Sequence, residues 1–588
     1  MSAKYEYLKN VQDRYLCGKD GTAYYQEPLK NASGVSTDPF MNFWPELVEL
    51  KQTDDGFSVR DFITFRAFRD GRYEAPVDLE KKDMIGNQPH AKFSPGCRIF
   101  RGSGNIGRCS ELMAMQCETA KTKRVYAHTG WKIIDGERVF LNGGYSVTAD
   151  GLTDRYCVEL APDLARCYRF IEAPEEGCLD TVMSLYQAAP DWLVVPSLAY
   201  VFLSPLNEML RDRGEEPCFT FYLIGKTGSY KSSWAKIMLA FFGKLGYAET
   251  APITFQDTQN AIGYKLALGA DVPLLLDDRR PTNNTADKAQ YEGKEKFVSS
   301  AIGDRAARGR LNADGSAKVS TVARCNLIVT AEEAFQNIGS SAIARSLSVE
   351  LEPHTVNFDR LRGLQNNAAA LNKSMQLYLQ WVIKHYEEIK NKSGGKLQGF
   401  RDYFAEAGHP RLATACSQMM LGYCQFLRFL KDQEQIQEKQ EKEMAEQALK
   451  IFLEMCERQG AKVESEKPTV LFIKLLSEML ETNQARLCDL RTFTASGAWL
   501  YRDFIGYRDG EYIYLIGQTA YNAVVQFCAR GGNTFPASAP ALWKMFKDEG
   551  KLSPDTGGKR LDRKKRIGDK QGRYIWLTAS LLNDEKEE

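Results

Sequence analysis

The clearest chemical constellation in the chain is a lysine–serine pair at the end of a glycine-bearing loop. Phe219 to Ile224 is an apolar run with strand character, and it opens into Gly225-Lys-Thr-Gly-Ser-Tyr-Lys-Ser. The spacing fits G-x-x-x-x-G-K-[ST] with one departure: Tyr230 stands at the second glycine position, and Gly228 lies two residues earlier. A helix is expected from about Lys231, with Trp234, Ile237, Met238 and Phe241 on its apolar side. In a strand–loop–helix of this kind, backbone N–H groups of the loop and of the helix start surround a phosphate anion. Lys231 would place a point charge on the β- and γ-phosphates, and the Ser232 hydroxyl would ligate Mg²⁺. The expected contacts to ATP are therefore Gly225, Thr227, Gly228, Ser229, Tyr230, Lys231, Ser232 and Ser233.

Further chemistry follows in a fixed order. About 40 residues on, Val272-Pro-Leu-Leu-Leu-Asp-Asp reads as a buried strand ending in Asp277 and Asp278. The first acid is expected to hold Mg²⁺ and the second to orient the attacking water. Another apolar strand, Ala323-Arg-Cys-Asn-Leu-Ile-Val-Thr, ends in Thr330, whose hydroxyl can position a nucleophilic water; Asn326, in the strand body, is a weaker choice. Ser340 to Leu351 reads as a helix end carrying Arg345 just before a last strand. This order resembles that of an AAA+ ATPase, in which such an arginine acts in trans on the neighbouring subunit's γ-phosphate.

Two segments carry cations suited to phosphate backbones. Between the paired acids and Thr330, a hairpin is expected with arms bearing Arg308, Arg310 and Lys318 around an Ala313-Asp-Gly-Ser turn. Near the C-terminus, Lys551 to Arg573 holds nine Lys/Arg against three Asp, a net +6. A helix, Ala541 to Leu552, followed by a hairpin with a basic turn outlines a winged helix. Lys559, Arg560, Arg563, Lys564, Lys565 and Arg566 are its expected DNA contacts, with Tyr574 and Trp576 nearby. Gly102-Ser-Gly-Asn-Ile-Gly107 fits G-x-G-x-x-G but lacks an acid at a strand end about 20 residues on, so it reads as a turn.

The elements that must position these residues fill a chain of 588 residues, long enough for about three or four domains. Residues 1–190 are expected to be mixed α/β, with strands such as Phe57 to Phe65 and a hairpin turning at Asp135-Gly136. Residues 191–360 form the ATPase core with a parallel sheet, 361–460 a helical lid or linker, and 461–588 a winged-helix-like domain. Lys431 to Glu446, nearly all charged or Gln, is expected to be a solvated helix face. No apolar run approaches the length of a membrane span and the N-terminus has no signal-peptide core, so a cytoplasmic protein without a membrane partner is expected. The fourteen Cys include no C-x-x-C pair, and the densest group, Cys97, Cys109 and Cys117, lacks zinc spacing with His90 or His128. The 77 Lys+Arg against 76 Asp+Glu exclude only indiscriminate coating of nucleic acid, because the basic charge is local.

Taken together, the chain resembles the cassette chromosome helicases of mobile genetic elements, MCM-like AAA+ proteins. The matching pieces are His128-Thr-Gly-Trp-Lys, the Gly225 to Ser232 loop, Leu275-Leu-Asp-Asp, the hairpin before Thr330 and the C-terminal outline. The resemblance implies a ring-forming, hexameric, ATP-driven DNA helicase serving replication of a mobile element. It also implies a second-sensor role for Arg411, in His409-Pro-Arg at a helix start. Two rival readings stay open: an AAA+ switch that does not unwind, and a nucleotide-bound initiator that marks DNA. Strand preference, polarity, loading and the role of residues 1–190 are not readable from the sequence.

Overall fold

The computed structural model describes residues 8–29, 34–85, 88–118, 120–243, 250–282, 284–305, 321–333, 339–492, 503–553, 560–568 and 570–582. Arg308, Arg310, Lys318 and Lys559 lie outside these residues, as does the expected hairpin turn at 313–316.

Residues 9–158 are mostly strand. An antiparallel meander spans Lys9 to Met41. The long hairpin Trp44–Asp54/Val59–Arg69 seeds a six-stranded sheet, which Thr122–Tyr126 joins in parallel. A third sheet begins with Gly130–Ile134 and Glu137–Leu141, whose turn is Asp135-Gly136 with φ of 50° and 85°, as the dipeptide foretold. Gly102-Ser-Gly leads into the helix Asn105–Glu118, so that segment is a helix start.

The Thr-Gly-Trp segment fastens this region to the rest. Thr129 Oγ1 donates to the Ala270 carbonyl at 2.8 Å, and Trp131 Nε1 donates to the Pro205 carbonyl at 2.7 Å. Gly130 has φ +93°, and a Cβ there would lie 2.6 Å from Asp271 Oδ2. Only glycine allows so close an approach.

The central unit starts with helix α1, Asp191–Leu203. Its elements then run β1 Thr220–Ile224, α2 Lys231–Ala240, β2 Ile253–Thr254, α3 Gln259–Leu268, β3 Pro273–Arg279, α4 Thr285–Gly303, β4 Asn326–Ala331 and β5 Ser346–Glu350. The five strands form one parallel sheet in the order β2-β3-β4-β1-β5. Leu274, Leu275 and Leu276 are all fully buried, as expected of parallel strands covered on both faces. Three long helices follow: α5 Ala368–Phe404, α6 Pro410–Asp432 and α7 Glu438–Ser465. The charged run 431–446 is not one helix face. It straddles the turn 433–437 between α6 and α7, where Gln437 and Gln440 form a reciprocal cap.

One hydrophobic cluster runs from Trp131 to Val463, so residue 190 falls inside it. The run Asp191–Arg211 is apolar and long enough to pass for a membrane span, against the expectation from sequence, but 94% of its most apolar window is buried inside the protein. Gly422 of α6 lets that helix touch α1: a Cβ there would lie 2.5 Å from the Ala199 carbonyl.

A separate cluster holds the C-terminal unit, from Phe472 to Leu577. Helices α8 Pro468–Glu481, α9 Gly517–Arg530 and α10 Ala539–Asp548 cover one face of a five-stranded sheet. Its strands β6 Arg486–Asp489, β7 Phe504–Arg508, β8 Tyr512–Leu515, β9 Arg563–Ile567 and β10 Lys570–Thr578 lie in the order β6-β7-β8-β10-β9. The expected basic turn is corrected here: Arg563, Lys564, Lys565 and Arg566 form a strand, paired antiparallel with the strand of Tyr574 and Trp576.

Candidate phosphate and metal site

The loop after β1 sits at the C-terminal edge of the parallel sheet, where strand ends leave a crevice. Gly225 is required there, because a Cβ would lie 2.5 Å from the Leu351 carbonyl and 2.6 Å from Ser229 Oγ. Gly228 has φ +89°, and Tyr230, the departure from the motif, takes φ +60°. Tyr230 therefore adopts the left-handed backbone that a glycine would hold freely, at a cost of about 1 kcal/mol. Its ring packs on Phe358 at 5.6 Å between centroids. The backbone thus keeps the loop shape although the residue has changed. Lys231 opens α2 and is buried, and Ser229 Oγ is buried with no partner among the described residues.

Because β4 lies between β1 and β3, Thr330 stands between the loop and the paired acids. Ser232 Oγ donates to Asp277 Oδ1 at 2.7 Å, and Thr330 Oγ1 donates to the same oxygen. Thr330 Oγ1 also accepts the Asp278 backbone N–H at 3.0 Å. One buried hydroxyl thus ties both acids to the neighbouring strand. Asp278 has φ +73° and its carboxylate faces away, held by Arg280 Nε at 2.7 Å and Nη2 at 2.6 Å. A carboxylate the sequence did not single out lies nearer the loop. Glu332, two residues past Thr330, accepts from Thr227 Oγ1 at 2.5 Å. Its signal was its place at the end of the same strand.

A buried ion pair underlies this edge. Arg279, directly after the acids, faces Glu295 of α4 at 3.4 Å. Burial pushes the Glu295 carboxyl up to about 7, with Arg279 opposing. A counterpart lies at the strand-start end, where burial pushes Asp271 up to about 6 despite the Arg211 guanidinium at 3.6 Å. Asn326, at the start of β4, donates to Ser204 Oγ at 3.0 Å and belongs to that end too.

The two expected arginines are not gathered at the loop. Arg345 precedes β5, whose first residue pairs with Thr220, so it stands at the strand-start end. At about 3.3 Å per residue that is roughly 16 Å from the loop edge. Its Nη2 pairs with Asp304 at 2.5 Å. Arg411 begins α6, capped by His409, and is exposed. Two turns on, Gln418 Nε2 donates to the Glu215 carbonyl, ahead of β1. Among the described residues, no group of His, Cys, Asp or Glu could hold a metal by itself, and none of the fourteen Cys is in a disulfide.

No family model matches the sequence, and no curated protein matches it. Among solved structures, Cch of SCCmec type IV, described as an active helicase, matches over 98% of this chain and 100% of its own, with a TM-score of 0.61 at 12% identity. Two structures of JCV helicase match 35% of this chain and 61% of theirs, at 10% and 12% identity; their TM-scores of 0.19 and 0.20 are too low to carry an argument. The resemblance read from the sequence therefore holds for the fold as a whole: from end to end, this chain is folded as the Cch helicase is.

Proposed function

We propose that the chain is an ATP-dependent DNA helicase of the cassette chromosome type, working as a ring of identical subunits, a hexamer by resemblance. The observation that carries the reading is the hydrogen-bonded set Ser232–Asp277–Thr330 at the mouth of the loop. A hydroxyl and a carboxylate oxygen 2.7 Å apart are hard donors that suit Mg²⁺. When bound, that ion would neutralise charge on the β- and γ-phosphates. Loop N–H groups and Lys231 hold the phosphates, and the Thr330 hydroxyl, donating to Oδ1, keeps Asp277 aimed. Water attacks the γ-phosphorus and passes its proton to a carboxylate as the bond to the β–γ bridging oxygen breaks, so that ADP leaves with that electron pair and inorganic phosphate is formed. Glu332, touching the loop, is better placed for that than Asp278, which Arg280 engages.

Arg345 cannot reach its own chain's phosphates from the far end of the sheet. If it stabilises the transferring phosphoryl group, it does so for a neighbour, which supports self-association. Arg411, exposed at the start of α6, takes the second-sensor role that the resemblance implies. Arg560 and the strand Arg563 to Arg566 supply DNA contacts, together with Arg308, Arg310, Lys318 and Lys559.

The test is strand displacement on a forked duplex with ATP. Wild type is expected to unwind it. Lys231→Ala should lose turnover by at least about 100-fold, the scale of one charged transition-state contact, and unwinding with it. Equal unwinding by the two proteins would refute the reading.

A further inference from the structure

Among the described residues, the helices of the C-terminal unit pack on one face of its sheet. Ile505, Ile513, Leu515, Ile575 and Leu577 point at α8, α9 and α10 and make the core of that unit. The alternate residues Tyr507, Tyr512, Tyr514, Tyr574 and Trp576 share the other face through the pairs Tyr507–Tyr514 and Tyr514–Trp576. They pack with one another, with Ile567 of β9 and with Leu490 and Ile516, which directly follow β6 and β8. Centroids are 4.9 Å apart for Tyr514–Trp576, 5.9 Å for Tyr512–Trp576 and 5.8 Å for Tyr507–Tyr574. Tyr514 and Tyr574 are buried within this face, and Tyr507, Tyr512 and Trp576 are half-buried and make its accessible part; aromatic rings with one wet edge are enriched at binding surfaces.

The adjoining strand adds charge to the same face. Period two places Arg563, Lys565 and Ile567 beside the rings and turns Lys564 and Arg566 to the other side. Lys565 Nζ stands 3.9 Å from the Tyr514 centroid and 5.1 Å from that of Trp576, and Arg563 Cζ stands 5.2 Å from Trp576. Asp509 is the carboxylate on this face: it pairs with Lys565 at 3.5 Å and accepts from the Tyr514 hydroxyl. The indole N–H of Trp576 is buried with no acceptor among the described residues.

We propose that this face binds a single strand of DNA, its bases stacking on Tyr512 and Trp576 and its phosphates meeting Arg563 and Lys565. Rings interleaved with cations suit unpaired bases, whose π-faces are open, whereas paired bases are already stacked on one another. The inference deepens the helicase reading and rests on it for the supply of a separated strand, but not for binding as such.

The experiment uses full-length protein without nucleotide. It compares the affinity of a labelled oligothymidine of about 20 nucleotides with that of a duplex of equal length. Tyr512→Leu and Trp576→Leu are each expected to weaken single-strand binding about tenfold and duplex binding less than about twofold. Trp576→Phe keeps a ring and should stay within about threefold of wild type, which separates stacking from a folding defect. A 5-iodouracil oligonucleotide should photo-cross-link to a peptide holding Tyr512 or Trp576. Unchanged single-strand affinity in both leucine variants, equal losses on both DNAs, or cross-links confined elsewhere would overturn the proposal. Lys231→Ala should bind the strand like wild type. Intact strand binding without ATP-driven unwinding would sink the helicase reading alone; unwinding with no effect of the face variants would sink only this inference.

Discussion

The two ends of the central parallel sheet differ in how complete they are. At the C-terminal edge the loop, Lys231, Ser232, Asp277 and Thr330 are already assembled, with hydrogen bonds running from helix to strand to strand. At the strand-start edge stands Arg345, engaged by Asp304 of its own chain. On the proposed reading, the first edge would bind a triphosphate. Arg345, a strand's length away, is too far from that phosphate to act on it. A parallel sheet sends every strand's end the same way, so the loop after β1 and the arginine before β5 are on opposite sides. They meet only if a second copy brings its strand-start edge to the first copy's loop.

Breaking the second edge should therefore have the largest effect. Arg345→Ala is expected to lower kcat for ATP by about 10³, the low end for such an arginine, with nucleotide affinity nearly unchanged. Mixing it with Lys231→Ala subunits should restore part of the turnover, because some junctions would then pair an intact loop with an intact arginine. Steady-state turnover of the mixture against each variant alone checks this, and no recovery would argue that Arg345 acts within its own chain.

Thr330→Val probes the assembled edge. It removes the donor to Asp277 and the acceptor for the Asp278 N–H, leaving polar groups unpaired. Turnover should fall about tenfold and stability by about 1–3 kcal/mol, read by kinetics and by denaturant unfolding.

The buried ion pair behind the loop predicts a pH effect on stability. The Glu295 carboxyl is raised from 4.5 to about 7 on folding, so the native state binds the extra proton. The stability this contributes is full below about pH 4.5 and is lost as pH rises through about 7, by up to about 3 kcal/mol. Glu295→Gln removes this titration while leaving Arg279 without its partner at every pH. The difference in unfolding free energy between variant and wild type should thus shift in the variant's favour between pH 5 and pH 8. A pH-independent difference would refute the assignment.

The smallest effect is expected from Tyr230→Gly. It relieves the left-handed strain but forfeits the contact with Phe358, two terms of about 1 kcal/mol and opposite sign. ATP turnover should stay within about threefold of wild type.

Much of the assembled edge was legible in the chain. The loop, the Asp277-Asp278 strand end and Thr330 are each local patterns, and a parallel sheet needs no further information to send their ends to one side. The Asp135-Gly136 turn and the helix start at Pro410 were legible for the same reason: each depends on a few adjacent backbone angles. Less local features were not. Asp278 read as the water-orienting acid beside Asp277, but it has a positive φ and its carboxylate pairs with Arg280. Glu332 looked like an ordinary residue after a strand, and only the approach of Thr227 makes it part of the site.

The C-terminal unit divides in the same way. Residue types alone announced a net +6 segment beside Tyr574 and Trp576. Whether those cations form a turn or a strand depended on pairing register, and the register puts Arg563 and Lys565 over rings contributed by β8 and β10. The apolar run Asp191–Arg211 makes the point most sharply: its composition suits lipid or a protein core equally, and α6 packing against it decides for the core. The sequence by itself determined the glycine-bearing loop, the order of the chemical groups and the local charge, because these are set by neighbours along the chain. Tertiary structure decided which carboxylate touches the loop, at which edge Arg345 stands and which rings and cations share a face of the last sheet, because those depend on contacts between residues tens to hundreds of positions apart.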